Sequence, residues 1–321
     1  MKRRQRSTQP GQHRPVMLDE VLTALDPGSG QIAVDCTVGF AGHAAELLAR
    51  VGEKGKLIGI DFDREHLPQA RARLETVGKS FSLHQGNFAG LATVLAAEGV
   101  SHVDMILADL GMSSMQVDDA GRGFSYMRDG LLDMRMDRSR GRTAAQVLAD
   151  IGEADLRRAL EELGDEPAAD RIAAALVAAR RHQSLERTGD LVRIIMEATG
   201  TGNWRLHPRP GKWVIHPAAR TFQALRMLVN RELANLENLL RVVPECLKAG
   251  GRAAIISFHS GEDRLVKAAF REGFRAGIYD RVAAEPVRAS YAERGSNPRS
   301  RSAKLRWARR AAGSKREMKE R

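Results

Sequence analysis

Gln31-Ile32-Ala33-Val34-Asp35-Cys36-Thr37-Val38-Gly39-Phe40-Ala41-Gly42-His43 decides the fold class of this 321-residue chain. Its first five residues form a short apolar run closed by an acid, the pattern of a buried strand. A glycine-containing turn follows, and residues 44–51 read as a helix. The unit then recurs. Lys56-Leu57-Ile58-Gly59-Ile60-Asp61 is a second strand ending in an acid, with a helix over 64–77 behind it. Residues 81–83 read as a third strand, leading to Gly86-Asn87-Phe88. Val103-Asp104-Met105-Ile106-Leu107-Ala108-Asp109 is a fourth, again closed by an acid. Strands alternating with helices imply right-handed crossovers and a mostly parallel sheet. Upstream, residues 16–25 read as a short helix stopped by Asp26-Pro27-Gly28.

The alternation breaks after the fourth strand. Residues 123–211 contain no good strand, but 143–149, 153–163, 165–181 and 188–198 read as amphipathic helices. Ile172, Leu176 and Ala179 line one face of the third. Residues 201–212 are rich in Gly and Pro and read as a loop. One long helix is expected over 217–247, and Arg252-Ala253-Ala254-Ile255-Ile256-Ser257-Phe258 restores the strand pattern. The expected organisation is therefore a basic tail (1–14), the first part of an α/β domain (15–122) and an inserted helical substrate-recognition domain (123–212). The second part of the α/β domain (213–310) and a basic tail (311–321) complete it.

Composition narrows the function. The chain carries 51 Lys and Arg against 40 Asp and Glu, a net charge of +11. Residues 1–14 contribute +5 and residues 281–321 contribute +9, so the body between them is close to neutral. Basic ends are the footprint of a polyanion partner, most often nucleic acid, although solvated tails have the same composition. Only 5% of the residues are aromatic, which leaves few rings for base stacking. No apolar run approaches the ~20 residues of a membrane span, and no hydrophobic segment follows the basic N-terminus to make a secretory signal. Cys36 and Cys246 are too few for a disulfide framework or a cysteine-rich zinc site, and a cytoplasmic location fits.

The turn 35–43 and the strand-end acids point to a cofactor. Gly39 and Gly42 lack side chains where a ligand approaches the backbone. A carboxylate at Asp61 can accept hydrogen bonds from both hydroxyls of a ribose, and Asp109 points into the same crevice. This describes an adenosine-containing cofactor. A dinucleotide needs the G-x-G-x-x-G spacing at a helix N-terminus, which is absent here. S-adenosylmethionine carries no phosphate, so the pattern favours it.

Longer signatures begin at Asp109-Leu110-Gly111-Met112-Ser113-Ser114-Met115-Gln116-Val117-Asp118-Asp119. They continue through Arg122-Gly123-Phe124-Ser125, Leu132-Asp133-Met134-Arg135-Met136-Asp137 and His216-Pro217-Ala218-Ala219-Arg220-Thr221-Phe222-Gln223-Ala224-Leu225-Arg226. Ile256-Ser257-Phe258-His259-Ser260 with Glu262-Asp263-Arg264, and Asn297-Pro298-Arg299-Ser300-Arg301-Ser302-Ala303-Lys304-Leu305-Arg306, complete the set. Over about residues 13–309 the chain resembles the bacterial ribosomal RNA small subunit methyltransferase H family. That family methylates N4 of a cytidine in 16S rRNA with S-adenosylmethionine. The resemblance implies a class I (Rossmann-like) methyltransferase fold, of α/β class, with an inserted all-helical domain. It implies a small ribosomal subunit as partner, and cofactor contacts at Ala41, Gly42, His43, Asp61, Phe88, Asp109 and Gln116. The chain departs from the family turn, which reads Asp-Gly-Thr and then Gly-x-Gly-Gly-His: Cys36 and Ala41 replace two glycines. Gly261 stands where leucine is usual, and Met115 where proline is common.

The implied reaction is direct displacement of a methyl group from sulfonium by an exocyclic amine. Asp109 is the candidate acceptor for that amine; the same carboxylate could instead serve the cofactor alone. A cytosine C5 methyltransferase would need a cysteine nucleophile, and neither cysteine follows the fourth strand. Arg122, Arg135, Arg220, Arg226 and Arg264 lie in the signatures and can grip phosphates, though arginines are also ordinary ion-pair partners. His216 and His259 can contact RNA or cap a helix, and no metal-ligand spacing surrounds them. The basic ends, including Arg299, Arg301, Lys304, Arg306, Arg309 and Arg310, would add salt-sensitive affinity. The alternatives are an amino-methyltransferase of DNA and a non-catalytic ribosome-assembly factor. The sequence leaves monomer and homodimer open.

Overall fold

The structure, a computed structural model, describes residues 15–112, 114–202 and 215–312. The N-terminal basic tail, most of the Gly/Pro-rich loop and residues 313–321 lie outside them. The chain forms two compact units. One comprises residues 1–111 and 233–321, the other Met112–Glu232.

The first unit opens with α1 (Leu18–Leu25), β1 (Ile32–Asp35), α2 (Gly42–Val51), β2 (Lys56–Asp61), α3 (Leu67–Glu75), β3 (Phe81–Gln85), α4 (Leu91–Ala97) and β4 (Val103–Asp109). The four strands read from the sequence are all present. Helix α3 starts later than the expected residue 64, with Pro68 in its first turn. Pro there lacks only an N–H that no helix partner would take.

The second unit holds α5 (Ser114–Asp118), α6 (Ala144–Asp150), α7 (Glu153–Gly164), α8 (Ala169–Ala179), α9 (Thr188–Thr199) and α10 (Ala219–Asn230). The chain returns to the first unit with α11 (Glu232–Cys246), β5 (Leu247–Ser257), α12 (Ser260–Arg275), β6 (Tyr279–Val282), α13 (Tyr291–Ser296) and β7 (Lys304–Arg310).

Seven strands make one sheet in the order β3-β2-β1-β4-β5-β7-β6. β1 pairs in parallel with both β2 and β4, and β5 is parallel to β4. Only β7 runs antiparallel to its neighbours. The connections reverse direction between β1 and β4, the place where doubly wound sheets open a ligand crevice. Apolar layers cover both faces. Ala33, Leu57, Met105 and Leu107 face one, with Leu47, Leu48 and Val51 of α2. Val34, Ile58, Ile60 and Ile106 face the other, with Leu236, Leu239 and Val243 of α11. Strands buried on both faces read as continuous apolar runs, which is why the sequence shows them.

Three features differ from the sequence reading. The helix expected over 217–247 is two helices. Arg231 adopts a left-handed conformation (φ 52°), and its N–H bonds back to the carbonyl of Leu228. Such a residue is usually Gly or Asn, so an arginine gives no sign of the break. Here tertiary bonds hold it: Asn230 accepts from the Met136 N–H at 2.8 Å and donates to the Met134 carbonyl at 2.7 Å. Arg226 and Glu232 form a two-bond ion pair across the break.

Second, α10 joins the helical unit, where Phe222, Ala224 and Leu225 share a core with Leu156, Leu160, Ile172 and Leu176. That unit spans Met112–Glu232 and extends beyond the expected 123–212 at both ends.

Third, β7 occupies the stretch read as a charged end. Three of its four cations are neutralised by acids far away in sequence. Asp263 takes Lys304 at 3.0 Å and Arg306 at 2.6 Å, and Asp280 takes Arg309 at 2.7 Å. Arg306 is 4% exposed. These three residues are sheet ion pairs rather than a free basic surface.

Candidate functional site

Three strand-end carboxylates gather at the crevice edge of the first unit: Asp35 of β1, Asp61 of β2 and Asp109 of β4. Strand register puts them there. Asp35 lies opposite Gly59 and Leu107, each two residues before the end of its own strand. Gly59 supplies the room, because a Cβ there would stand 2.6 Å from both Val38 and Leu83.

The turn after β1 is tight. Gly39 and Ala41 both take positive φ, at 52° and 58°. Ala41 is the N-cap of α2 and is fully buried. An L-residue in this conformation costs about 1 kcal/mol that glycine does not. Of the two departures from the family turn, Ala41 therefore carries backbone strain and Cys36 does not. Ala41→Gly should raise the unfolding free energy by up to about 1 kcal/mol, less the burial lost with one methyl group. Urea titration checks this; a fall in stability would show that the methyl's packing outweighs the strain.

Asp61 organises the turn. Its Oδ2 accepts from the Gly39 N–H at 2.6 Å, and its Oδ1 accepts from the Asp63 N–H at 2.7 Å. His66 Nδ1 lies 3.2 Å from the same Oδ1, and its Nε2 lies 3.6 Å from Asp63. The ring of Phe40 packs on that histidine at 4.7 Å. The sequence reading missed His66; the spacing Asp61, Asp63, His66 was its only signal. A carboxylate has about four acceptor positions. Protein donors fill three here, which leaves one position open rather than the two that both hydroxyls of a ribose would need.

Asp109 is held differently. Its backbone N–H donates to Thr37 Oγ1 at 2.7 Å, and its Oδ1 accepts from the Gly111 N–H at 3.3 Å. Its Oδ2 lies 3.9 Å from His43 Nδ1, and its side chain is 22% exposed. The other nitrogen of His43 donates to the Val16 carbonyl at 2.9 Å. That bond orients the ring so that Nδ1 faces Asp109. Burial pushes Asp109 above the ordinary carboxylate range, while His43, the Gly111 N–H and Arg299 pull it back.

Asp35 is the second residue whose role the sequence did not reveal. Its Oδ1 accepts from the Thr37 N–H at 3.0 Å. Its Oδ2 is buried with no hydrogen-bond partner among the described residues. Burial raises its pKa to about 6; His43 and Thr37 oppose this, and Asp109 and Asp61 add to it. A buried carboxylate oxygen without a partner calls for a cation. A methyl donor with an ammonium and a sulfonium fits this edge, whereas three carboxylates would repel a pyrophosphate.

The folded chain binds the Asp35 proton more tightly than the unfolded one. Its stabilising contribution is full below about pH 4 and is lost as pH rises through 6. The displacement from 3.8 to about 6 corresponds to about 3 kcal/mol. The stability difference between wild type and Asp35→Asn should therefore shift toward the variant between pH 4 and pH 7, read by urea unfolding without ligand. A pH-independent difference would refute the elevated pKa.

The remaining expected site residues divide by unit. Phe88 opens a short 3₁₀ turn after β3 and is partly buried against the core of the first unit. Gly42 starts α2 beneath Pro15, where a Cβ would meet the ring at 3.2 Å. Gln116 is buried on α5 of the second unit. Arg122 is buried and donates to the carbonyls of Arg135 and Met136. Arg135 forms a two-bond pair with Asp133. Arg220 donates to the Asp165 carbonyl, and Arg226 is held by Glu232. His216 stacks on Tyr126 at 4.6 Å, and burial lowers its pKa. His259 caps α12, with Nε2 3.1 Å from Glu262. Among the five arginines, Arg264 alone is exposed with no ion pair to the described residues.

Both cysteines are buried, and burial raises their pKa values, that of Cys246 to about 11. Neither is a thiolate at neutral pH, so no cysteine here is ready to attack a pyrimidine ring. Among the described residues, no cluster of His, Cys, Asp and Glu is arranged to hold a metal ion, and no helix is long and apolar enough to cross a membrane.

Comparison with known proteins adds the following. Residues 11–311 match the MraW methylase family. Ribosomal RNA small subunit methyltransferase H of Geobacter sp. (strain M21) is 44% identical over 313 residues, covering 92% of this chain and 97% of that protein. The protein of the same name from Symbiobacterium thermophilum is 43% identical over 309 residues, covering 92% and 95%. That from Sorangium cellulosum is 44% identical over 302 residues, covering 94% and 92%.

Proposed function

The chain belongs to the MraW methylase family, and from that premise we propose that it methylates N4 of a cytidine in 16S rRNA of the small ribosomal subunit, in the cytoplasm, using S-adenosylmethionine. The observation that carries the reading is Asp109. It is a shielded carboxylate at the end of β4, anchored through its backbone and Oδ1, with Oδ2 beside His43 and the side chain 22% exposed.

The donor, when bound, supplies a methyl group on a sulfonium, an electrophile that needs no metal for its departure. The amine is a poor nucleophile because its lone pair is delocalised into the ring. Asp109 Oδ2 accepts a hydrogen bond from the amine, which keeps electron density on nitrogen and offsets the positive charge that develops there. The N–C bond forms as the C–S bond breaks, and the product amine then sheds one proton. His43 holds the turn against Val16, with Nδ1 3.9 Å from the carboxylate. The remaining task is alignment. Asp61 and the turn 39–42 place the adenosine part, with Phe88 as a further donor contact, and Asp35 offers its unpartnered oxygen to the donor's cationic end.

On the substrate side, Arg264 is the arginine best placed to meet phosphate directly. Arg122, Arg135, Arg220 and Arg226 act as positioning residues through the bonds described above, and His216 and His259 support their loops. The test is incubation with labelled donor and small subunits lacking the modification, followed by digestion of the RNA. Label in N4-methylcytidine is expected; label in another nucleoside, or none, would overturn the reading.

A further inference from the structure

Tyr291 is 88% exposed, the most exposed large apolar side chain among the described residues. It begins α13, where Ser290 Oγ caps the helix by accepting from the Glu293 N–H. The stretch 288–301 carries Arg288, Arg294, Arg299 and Arg301. Its one acid, Glu293, is buried and spent on the Met17 N–H at 2.9 Å. Arg288 and Arg294 are exposed, and neither has an ion pair with the described residues. An exposed ring thus stands three positions after one uncompensated arginine and three before another.

Its position is fixed by contacts within the first unit. Glu293 binds Met17, and the adjacent Val16 carbonyl is the one bonded by His43. Ala289 and Ala303 are buried in the same core as Ala41 and Ala44 of the cofactor turn. Arg299 is close enough to lower the pKa of Asp109. A water-exposed tyrosine adds little to the fold, while a ring flanked by cations is the pattern that holds single-stranded nucleic acid.

We propose that Tyr291 is a stacking platform for an unpaired base of the ribosomal RNA beside the target nucleotide, with Arg288 and Arg294 on the flanking phosphates. This deepens the methyltransferase reading and rests on it. Tyr291→Ala is expected to raise both the KM for small subunits and their equilibrium Kd about tenfold, with kcat and the KM for the donor unchanged. Tyr291→Phe should behave as wild type. Arg288→Gln with Arg294→Gln should lower the slope of log K against log salt by about two.

A change below twofold for Tyr291→Ala overturns the proposal. So does a loss of equal size in Tyr291→Phe, which would mean a hydroxyl contact instead of a stacked ring. So does a Tyr291→Ala defect unaltered when the rRNA at the site is digested away, which would point to a ribosomal protein. Because Kd is measured without methyl donor, a wild type that binds subunits yet transfers no methyl would fail the enzyme reading while still deciding this one.

Discussion

Asp109→Asn is expected to lower kcat for small-subunit methylation about a hundred- to a thousandfold, while leaving the fold intact. The amide has the shape of the carboxylate. Its oxygen can still take the Gly111 N–H, and the backbone bond to Thr37 is untouched. What changes is the group at the Oδ2 position. A carboxylate oxygen accepts from the target amine and opposes the charge that develops on nitrogen. An amide NH2 there presents a donor to a donor and carries no charge.

The alternative, that Asp109 serves only the donor, gives a different result. Under it the donor Kd, read by calorimetry, rises about a hundredfold, and kcat at saturating donor stays near wild type. The pH profile separates the two again. Asp109 is raised by burial, and an acceptor must be ionised, so kcat should climb as pH rises through that elevated value. Asp109→Asn should remove the climb. A variant that turns over at the wild-type rate with saturating donor would remove Asp109 from the chemistry.

The parts of this site that the sequence shows are those governed by local pattern. β1, β2 and β4 are buried on both faces, so each is a mostly apolar run with an acid as its last residue, and the crevice edge can be traced by eye. The missing parts depend on partners distant in the chain. The demand of Asp35 for a cation comes from burial, which no five-residue window displays. Arg306 looks like a free cation until the sheet brings it to Asp263, 43 positions away. Arg135 and Arg226 read as phosphate ligands because Asp133 and Glu232 are recognisable as their partners only in the fold. The break at Arg231 is silent because Asn230 enforces it through Met134 and Met136. Charge pattern points to a polyanion partner, but Lys304, Arg306 and Arg309 of β7 are held in structural ion pairs, while Arg288 and Arg294, three positions before and after Tyr291, are exposed.

Asp61→Ala should be the most damaging change for the donor, with an expected rise in Kd of about a hundredfold. Two losses combine. The carboxylate takes the N–H groups of Gly39 and Asp63 and faces His66. Each buried donor left without an acceptor costs about 1–3 kcal/mol, so the turn 39–42 should loosen even without ligand. The second loss is the one remaining acceptor position, assigned here to a ribose hydroxyl. A donor analogue lacking that hydroxyl separates the two. On wild type it should bind about tenfold more weakly than the parent, the size of one hydrogen bond to a charged group. On Asp61→Ala the two should bind alike, since the partner is gone. If both proteins discriminate equally, the hydroxyl is held elsewhere, and Asp61 acts solely by shaping the turn. In that case hydrogen exchange at Gly39 and Asp63 would still quicken in Asp61→Ala, because those amides depend on the carboxylate whether or not a ligand does.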